Sequence, residues 1–388
     1  MRAVHIVSYL VDADRYRDRV LMFAEAASRV GRMTLLVGSP PREVALTALP
    51  NLRVVPLAPG PRKRQLLQAS LLRWWVTHRP RPDLLHDTQG FMAPLFTLLA
   101  PAPRRPVRLS SNFASTWDWF STLRGRWPVE WRERETRYWM QLVEEAALAR
   151  VTDHFTVFGE GHRDLFARTY RVPVERVHAL PNCVDPAAFA AVAPPADDAG
   201  FEPGTRLLLF VGATFRYKGI HELLAALAAL RPAHPDLRLL IVGKAPGRAG
   251  AALDADLAAR DLRAIVRVVG RVPRETLPGL MAAAEAVVLP TYTEGSPRVL
   301  IEAMAGGRPV VASDIPGVRA LDPTGTCLRL VPRADAAALA RGIEAVLADP
   351  AEAAAMGARA RARYLAGHTP AAAGAALADL YRGLVGDR

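Results

Sequence analysis

Short apolar runs rich in β-branched residues alternate with helix-like patterns along the whole chain, and this alternation restricts the folds that it can adopt. Strands that are apolar on both faces and separated by helices are typical of parallel sheets covered on both sides. The sequence therefore predicts an α/β protein. The predicted strands are "AVHIVSYL", "MTLLVG", "LRVVPLA", "PDLLHD", "VRLSS", "HFTVFG" and "VHALPN", followed by "RLLLFVG", "LRLLIVG", "IVRVVG", "AEAVVLPT", "RPVVAS" and "CLRLV".

A break in this pattern divides the strands into two sets. The chain has 388 residues, which is too long for one ordinary core. The segment "AAVAPPADDAGFEPG" is rich in Ala, Pro and Asp and lacks periodicity, so it predicts a linker. We expect two doubly wound, Rossmann-like domains, at 1–185 and 206–369, joined by a linker at 186–205. Ligands of such sheets bind outside the carboxyl ends of the strands, so two facing domains would form a central cleft.

Composition argues against several classes of protein. The two cysteines, Cys183 and Cys327, are far apart without a CxxC motif, so neither a disulfide framework nor a structural zinc site is expected. The apolar start of the chain is followed at once by charges, which suits a buried strand better than a signal peptide. No uncharged run reaches the roughly 18–20 residues of a membrane span. These features predict a cytoplasmic protein.

Positive charge is concentrated in one stretch that also carries most of the tryptophans. The net charge is +12, and residues 51–129 hold 12 Lys/Arg against 3 Asp/Glu. Six of the seven tryptophans lie between Gly60 and Trp131. One interpretation is a solvated face with the tryptophans packed inward. The other is a basic, Trp-bearing surface for anionic lipid, which would place the protein peripherally on the inner face of the membrane, or for an anionic acceptor. Nucleic acid is not expected, because no recognised binding module accompanies the charge.

Two glutamates, Glu294 and Glu302, mark the junction of a predicted loop and a predicted helix. Ser296 and Pro297 predict the N-cap and the first position of that helix, and the glycine pair after "EAMA" predicts its end. The helix follows the strand "AEAVVLPT", so its N-terminus is expected at the carboxyl edge of the second sheet. A helix N-terminus in that position can bind an anion.

Glu302 admits two interpretations. It is surrounded in the sequence by apolar residues, and a buried carboxylate is costly without partners. A ligand with two hydroxyls, such as a ribose, would supply two donors. Alternatively, Arg298 lies four residues earlier, and the two side chains could form a helix-surface pair worth a few tenths of a kcal/mol.

Lysine is rare in this chain, with three residues, Lys63, Lys218 and Lys244, against 47 arginines. Lys218 and Arg216 lie in a turn between a predicted strand and an amphipathic helix, and Lys244 follows the next strand in the same way. A compact ammonium retained at such a turn suits a diphosphate, although a solvated loop cation is the alternative.

Five motifs occur in the order expected of one family. They are "LPNCVDPAAF", "FVGATFRYKG", "IVGKAPG", "VVGRVPRETLPGLMAAAEAVVLPTYTEG" and "EGSPRVLIE", the last with two glutamates separated by seven residues. In these motifs the chain resembles the retaining GT-B glycosyltransferases of family 4. The resemblance covers most of 177–320, and over 1–176 it extends only to the layout.

This resemblance implies a role for each motif residue. Glu302 would bind the nucleotide ribose, Glu294 would contact the donor sugar, and Lys218 with Arg216 would hold the diphosphate. The implied catalytic residues are Glu294, Lys218 and Arg216. The implied donor-binding residues are Gly212, Lys218, Gly243, Lys244, Arg271, Val272, Glu294, Gly295, Ser296, Pro297, Arg298, Val299 and Glu302. A C-terminal helix at 370–388 is expected to cross back to the N-terminal, acceptor-binding domain.

The chain also departs from the family pattern. Ala213 stands where arginine is frequent, so Arg216 is the candidate substitute. His86 is retained on the acceptor side, while Thr88 and Asn112 stand where further histidines are frequent; His86 and Asn112 are the candidate acceptor-side residues. The Asp-Ala-Asp sequences at 12–14 and 254–256 resemble a metal-binding motif of another glycosyltransferase fold. Such spacing is common by chance, so neither a metal nor a cofactor is expected.

The resulting expectation is a retaining glycosyltransferase that moves a sugar from a nucleoside diphosphate sugar, UDP- or GDP-linked, to an acceptor hydroxyl. The acceptor would be lipid-linked, a polysaccharide or a small glycoside. Two alternatives stay open: a nucleotide-sugar epimerase on the same fold, and a non-catalytic subunit that binds a nucleotide sugar.

Overall fold

The structure of the protein is a computed structural model. It describes residues 6–12, 16–39, 49–57, 64–77, 82–88, 105–111, 143, 145–189, 201–202 and 204–386. These residues form two compact units. The first unit contains the described residues up to Cys183 and those from Thr369 on, and the second unit runs from Val184 to His368.

Each unit is built on a parallel sheet. The strands of the first unit are β1 Ile6–Asp12, β2 Met33–Ser39, β3 Leu52–Pro56, β4 Leu84–Asp87, β5 Val107–Ser111, β6 His154–Val157 and β7 Val177–Ala179. Those of the second are β8 Arg206–Val211, β9 Leu237–Val242, β10 Val266–Gly270, β11 Ala286–Leu289, β12 Val310–Ser313 and β13 Arg329–Val331. The orders are β3-β2-β1-β4-β5-β6-β7 and β10-β9-β8-β11-β12-β13.

Helices connect the strands, as parallel pairing requires. Among the described residues they include α1 Arg17–Val30, α2 Arg64–Thr77, α3 Glu160–Tyr170, α4 Ile220–Leu230 and α5 Gly247–Ala259. The seven-residue α6 Leu277–Ala283 precedes α7 Arg298–Ala305. The four-residue α8 Pro316–Arg319 is followed by α9 Ala336–Ala348, α10 Pro350–Gly367 and α11 Pro370–Gly386. Both sheets are doubly wound, with the strand order reversing between β1 and β4 and between β8 and β11. The predicted α/β architecture with two Rossmann-like sheets is confirmed.

The core of the first unit includes the last helix of the chain. α11 packs along α1, and Leu377 and Tyr381 on α11 are fully buried. The contact is close at Gly374, where an added Cβ would lie 2.6 Å from Glu25 Cβ and 2.7 Å from Met22 O. The small residue therefore sets how closely the two helices approach.

The second unit buries its strands on both faces. The inner residues of β8, β9, β11 and β12 are buried apolar side chains, and they join one cluster with the buried faces of α4, α7 and α9. Such a core fixes the strands, so the loops that follow them all emerge at the carboxyl edge of the sheet. This edge carries the candidate site.

Two tryptophans of the basic stretch are described, and both point inward. Trp74 and Trp75, on α2, are 8% and 3% exposed. For these two residues the interpretation as packed side chains is correct. Trp117, Trp119, Trp127 and Trp131 lie outside the described residues, as do the linker residues 190–200. Within the described part of the chain, no helix combines the length and the apolar character that a bilayer crossing needs.

Candidate functional site

In the second unit a glycine directly follows β8 and β9, and another is the last residue of β10. Gly212 N donates to Val242 O at 2.8 Å, and Gly243 N donates to Gly270 O at 2.6 Å. Gly243 has φ +152°, and an added Cβ would lie 1.9 Å from Gly212 O, so no other residue fits there. The carboxyl ends of β8, β9 and β10 thus form an edge at which a ligand can approach the backbone closely.

The turn after β8 is fastened to the loop after β11. A 3-10 turn at Arg216–Lys218 leads into Gly219, whose φ is +73° and whose added Cβ would lie 1.9 Å from Pro290 O. Tyr292 N donates to Tyr217 O at 2.7 Å. Because these contacts join the two loops directly, the side chains that they carry are held at a fixed separation.

Lys218 and Glu294 form an ion pair across those two loops. Their side chains are 17% and 18% exposed, and the Lys218 ammonium lies 5.2 Å from the centroid of the Tyr217 ring. Burial alone would lower the pKa of Lys218, but the Glu294 carboxylate more than offsets it and the pKa is raised. The site therefore holds a charged ammonium at neutral pH.

Glu302 lies in the second turn of α7 and is paired with Arg298. Arg298 Nε lies 3.2 Å from Glu302 Oε1, and the two side chains are 32% and 8% exposed. The pairing that the spacing allowed is present. Glu302 is nevertheless buried within a helix whose other neighbours are apolar, so it does not lie on a solvated helix surface.

The start of α7 differs from the prediction by one residue. The N-cap is Pro297, in an extended conformation, and no side chain caps the helix, so Ser296 is not the N-cap. Leu300 N and Ile301 N donate to Pro297 O at 3.0 and 3.4 Å. The amides before them lack an intrahelical acceptor, as at any helix start, and suit an anion.

The predicted donor-binding residues lie in the loops after β8, β9, β10 and β11 or in α7. The structure brings together Gly212 with Gly243, Lys218 with Glu294, and Arg298 with Glu302. Arg216, Lys244 and Arg271 are exposed in their loops and belong to none of these pairs. Gly295, Ser296 and Val272 are half-buried in their loops, and Val299 is half-buried in α7.

Sequence reasoning missed the residues that brace the site. An added Cβ at Gly317, after β12, would lie 2.0 Å from Glu294 O, so this glycine lets the two loops meet. The backbone oxygen of Tyr217 accepts a hydrogen bond from the amide of Tyr292. The Tyr292 hydroxyl donates to Glu222 Oε1 at 2.6 Å. In the sequence, Gly317 could have been noticed because it closely follows a strand. Nothing in the sequence marks Tyr217 or Tyr292 as bracing residues.

His86, the candidate acceptor-side residue in the first unit, is 1% exposed. Its Nδ1 lies 2.7 Å from Tyr381 Oη and its Nε2 lies 2.6 Å from Ser111 Oγ. Burial, with the charge of Arg19 nearby, lowers the pKa of His86 to about 3. The imidazole is therefore neutral and held at both nitrogens. Asn112, the other acceptor-side candidate, lies outside the described residues.

The Asp-Ala-Asp sequence at 254–256 lies on α5. Asp256 pairs with His221 Nδ1 at 2.8 Å and with Arg260 Nε at 2.6 Å. Its carboxylate is thus engaged by two neighbouring side chains. Among the described residues, no group of three or more His, Cys, Asp and Glu side chains is arranged to hold a metal ion.

Two protein families match the chain. The family described as "Glycosyl transferases group 1" matches residues 196–363, and the family described as "Glycosyltransferase Family 4" matches residues 19–188. The two matches fall on different parts of the chain and together cover most of it.

Named relatives include the alpha-D-kanosaminyltransferase of Streptomyces kanamyceticus, 30% identical over 259 residues, which are 66% of this chain and 63% of that protein. The glycogen synthase of Mycobacterium tuberculosis H37Rv is 33% identical over 54% of this chain and 49% of its own. The phosphatidyl-myo-inositol mannosyltransferase of Mycolicibacterium smegmatis is 38% identical over 44% of this chain and 42% of its own. The chain thus matches less than two thirds of the length of each of these relatives.

Solved structures match the chain over nearly its whole length. The sucrose-phosphate synthase of Thermosynechococcus elongatus has a TM-score of 0.76 at 24% identity and covers 99% of this chain and 100% of its own. Anabaena HepE in complex with UDP-glucose has a TM-score of 0.73 at 18% identity, covering 97% and 99%. At these identities the likeness establishes the fold.

Proposed function

The chain belongs to the family 4-like glycosyltransferases of the GT-B fold, and from this premise we propose that it transfers a sugar from a nucleoside diphosphate sugar to an acceptor hydroxyl, with retention. The observation that carries the proposal is the Lys218–Glu294 pair, held by two braced loops at the same sheet edge as the glycine strand ends. A sugar diphosphate needs a cation, a carboxylate and a stretch of backbone that it can approach closely.

Each part of the donor would meet a different part of this edge. The diphosphate would bind the Lys218 ammonium and the amides at the start of α7, since both favour negative charge. The ribose hydroxyls would donate to Glu302, whose burial favours a partner with two donors. The donor sugar would contact Glu294. Arg216, Lys244 and Arg271 would add positive charge from the exposed rims of their loops.

Catalysis in this proposal rests on stabilising the leaving group. Negative charge grows on the diphosphate as the sugar departs, and preorganised cations and amides at that position stabilise the transition state more than the ground state. No covalent intermediate on a side chain is required, nor a metal ion, and the nucleoside diphosphate sugar acts as a co-substrate. The nucleotide would be UDP or GDP, and the acceptor an alcohol on a lipid-linked, polymeric or small glycoside.

Calorimetry with UDP and GDP tests the nucleotide site. We expect one of them to bind in the presence of EDTA, and Glu302→Gln to weaken binding about tenfold, since the ribose loses a charged acceptor. Glu344→Gln is the control, because Glu344, on α9, also has a side-chain partner: His234 Nε2 lies 2.6 Å from Glu344 Oε2. Unchanged affinity in Glu302→Gln would leave Glu302 as the partner of Arg298 alone.

Product analysis tests the reaction. Transfer to an acceptor with retained configuration supports the proposal. Epimerised sugar formed without an acceptor would indicate an epimerase instead, and donor binding without transfer or hydrolysis would indicate a binding subunit.

A further inference from the structure

A buried chain of hydrogen bonds runs through the first unit from the last helix to a small cavity. Tyr381 Oη lies 2.7 Å from His86 Nδ1, His86 Nε2 lies 2.6 Å from Ser111 Oγ, and Ser111 Oγ lies 2.6 Å from Thr156 Oγ1. All four residues are 5% exposed or less. The chain joins α11 to the carboxyl ends of β4, β5 and β6, and His86, Ser111 and Thr156 line the cavity.

The hydrogen bonds that link these four residues all donate in one direction. The His86 imidazole is neutral, so one ring nitrogen donates and the other accepts. If Nδ1 carried the proton, the Tyr381 hydroxyl would itself be buried without an acceptor among the described side chains, which is costly. Tyr381 therefore donates to Nδ1, the Nε2–H of His86 donates to Ser111, and Ser111 donates to Thr156.

The last hydroxyl in the chain has a proton left to donate. Because Thr156 accepts from Ser111, its own O–H is available to an oxygen in the cavity. Arg19 also lines the cavity, with its guanidinium 5.9 Å from the centroid of the Phe158 ring, and its positive charge acts on His86. The cavity measures about 20 Å³, which holds about one water-sized group. An oxygen atom of a larger ligand therefore fits beside the Thr156 hydroxyl.

We propose that this cavity binds an anionic oxygen of the acceptor, carboxylate or phosphoryl, and that Tyr381 is a positioning residue that fixes its donor. Tyr381 does so by holding His86 as the Nε2–H tautomer, which orients Ser111 and then Thr156. The assignment of the ligand to the acceptor rests on the proposed function. The cavity and the direction of the hydrogen bonds rest on the first unit alone.

Nitrogen-15 NMR of histidine-labelled full-length protein tests the tautomer and the ligand together. We expect His86 to show the Nε2–H tautomer, and its signals to shift on titration with acetate or inorganic phosphate. The stronger of the two responses separates a carboxylate from a phosphoryl ligand. Glycerol, a neutral oxygen ligand, should shift the signals far less. The Nδ1–H tautomer in the wild type would overturn the proposal, as would equal responses to all three probes or none.

Four variants separate positioning from stability. Thr156→Val should abolish the response to the anionic probe, and Thr156→Ser, which keeps the hydroxyl, should restore it. Tyr381→Phe should mix the two tautomers of His86 and weaken probe binding about twofold for an equal mixture, because only the Nε2–H form leaves the Thr156 O–H to donate into the cavity. Tyr364→Phe is the matched control, since Tyr364 is another buried tyrosine, 1% exposed, whose hydroxyl donates to Val184 O at 3.0 Å.

Equal losses of probe binding in Tyr381→Phe and Tyr364→Phe would overturn the proposal, because Tyr381 would then act only through packing. Nucleotide binding by the same variants keeps the two proposals apart. Normal UDP or GDP binding with no probe response overturns this inference and leaves the proposed function standing. A probe response without nucleotide binding supports the cavity and counts against the proposed function.

Discussion

At the scale of single residues, Lys218 is the side chain whose environment is hardest to explain without a ligand. A lysine ammonium that is largely buried loses hydration, and the pair with Glu294 compensates for that loss without being needed for the fold of either loop. The two loops are already joined by the backbone contact between Tyr292 and Tyr217. The proposed function would give this charge a role towards a diphosphate.

Lys218→Ala should consequently lower turnover far more than it lowers stability. Loss of one preorganised donor to a transition-state charge costs about 10²–10³ in kcat, and we expect that loss with only a small change in Tm. Arg231→Ala is the control, because Arg231 pairs with Asp261 in an exposed ion pair at 3.0 Å. Steady-state kinetics and calorimetry measure the two effects, and full turnover in Lys218→Ala would move the role to another cation.

His86 makes stability depend on pH in a direction that follows from its environment. Its pKa is lowered to about 3 in the folded protein, against about 6.5 when unfolded. The unfolded state therefore binds the proton more readily, so the contribution is intact above pH 6.5 and is lost as the pH falls towards 3. At pH 5 this penalty is about 2 kcal/mol.

Thermal unfolding at pH 7 and pH 5 measures that penalty. The Tm of the wild type should fall more over this interval than that of His86→Gln, which keeps a donor and an acceptor but cannot be protonated. The same fall in both proteins would show that His86 does not titrate in this range on unfolding.

The sequence could predict which residues of the site carry chemistry, but not which residues hold them. Glu302 stands out because a carboxylate amid apolar residues is unusual, and Lys218 because lysine is rare in this chain. Glu294 stands out through its motif with Glu302, in which the chain resembles family 4. Tyr217 contributes to the brace through its backbone oxygen, which any residue has. Tyr381 contributes its side-chain hydroxyl, but its partner His86 lies 295 residues away in the sequence. Such contacts depend on how the strands and helices are placed, and no local pattern records that.

At the scale of elements, strands were easier to predict than helix ends. Leu237–Val242 and Val310–Ser313 are mostly apolar, as expected of strands in a sheet covered on both faces. The start of α7 was misplaced by one residue, since a proline can occupy either the N-cap or the first helical position. In α11, apolar residues at helical spacing form the buried face: Leu377, Tyr381 and Leu384 are buried, whereas Leu380 is only partly so.

The contact between α1 and α11 yields a prediction at this scale. An alanine at position 374 would bring its Cβ within 2.6–2.8 Å of Glu25 and Met22, so the helices must separate. We expect Gly374→Ala to destabilise the protein by about 1–3 kcal/mol, although alanine favours a helix. Gly383→Ala, on the same helix with nothing within 4 Å, should stabilise it by up to about 1 kcal/mol. Denaturant unfolding of both variants measures this, and the same sign of change in both would contradict the packing argument.

At the scale of the whole molecule, the sequence contained the division into two sheets. Both strand orders follow from two repeats of the same doubly wound pattern, separated where periodicity fails at 190–200. The pattern could not show which side chains of the basic stretch are exposed and which are packed. Trp74 and Trp75 read equally well as membrane contacts or as packed residues, because an amphipathic aromatic suits both settings.

Charge and burial together predict how the protein should meet a membrane. The chain carries +12, and each cation near an anionic bilayer adds about 1 kcal/mol of attraction, which salt screens within a Debye length of about 8 Å at physiological ionic strength. Trp74 and Trp75 are buried, so they cannot add the apolar insertion that would resist salt. We therefore expect co-sedimentation with anionic vesicles at low salt, none with neutral vesicles, and release at about 1 M salt, where the Debye length falls to about 3 Å.

Replacing both tryptophans by phenylalanine should leave this binding unchanged. Binding that persists in high salt and is lost in that double variant would show that α2 opens to insert them, and absence of binding at low salt would assign the basic stretch to the acceptor or to the solvated surface.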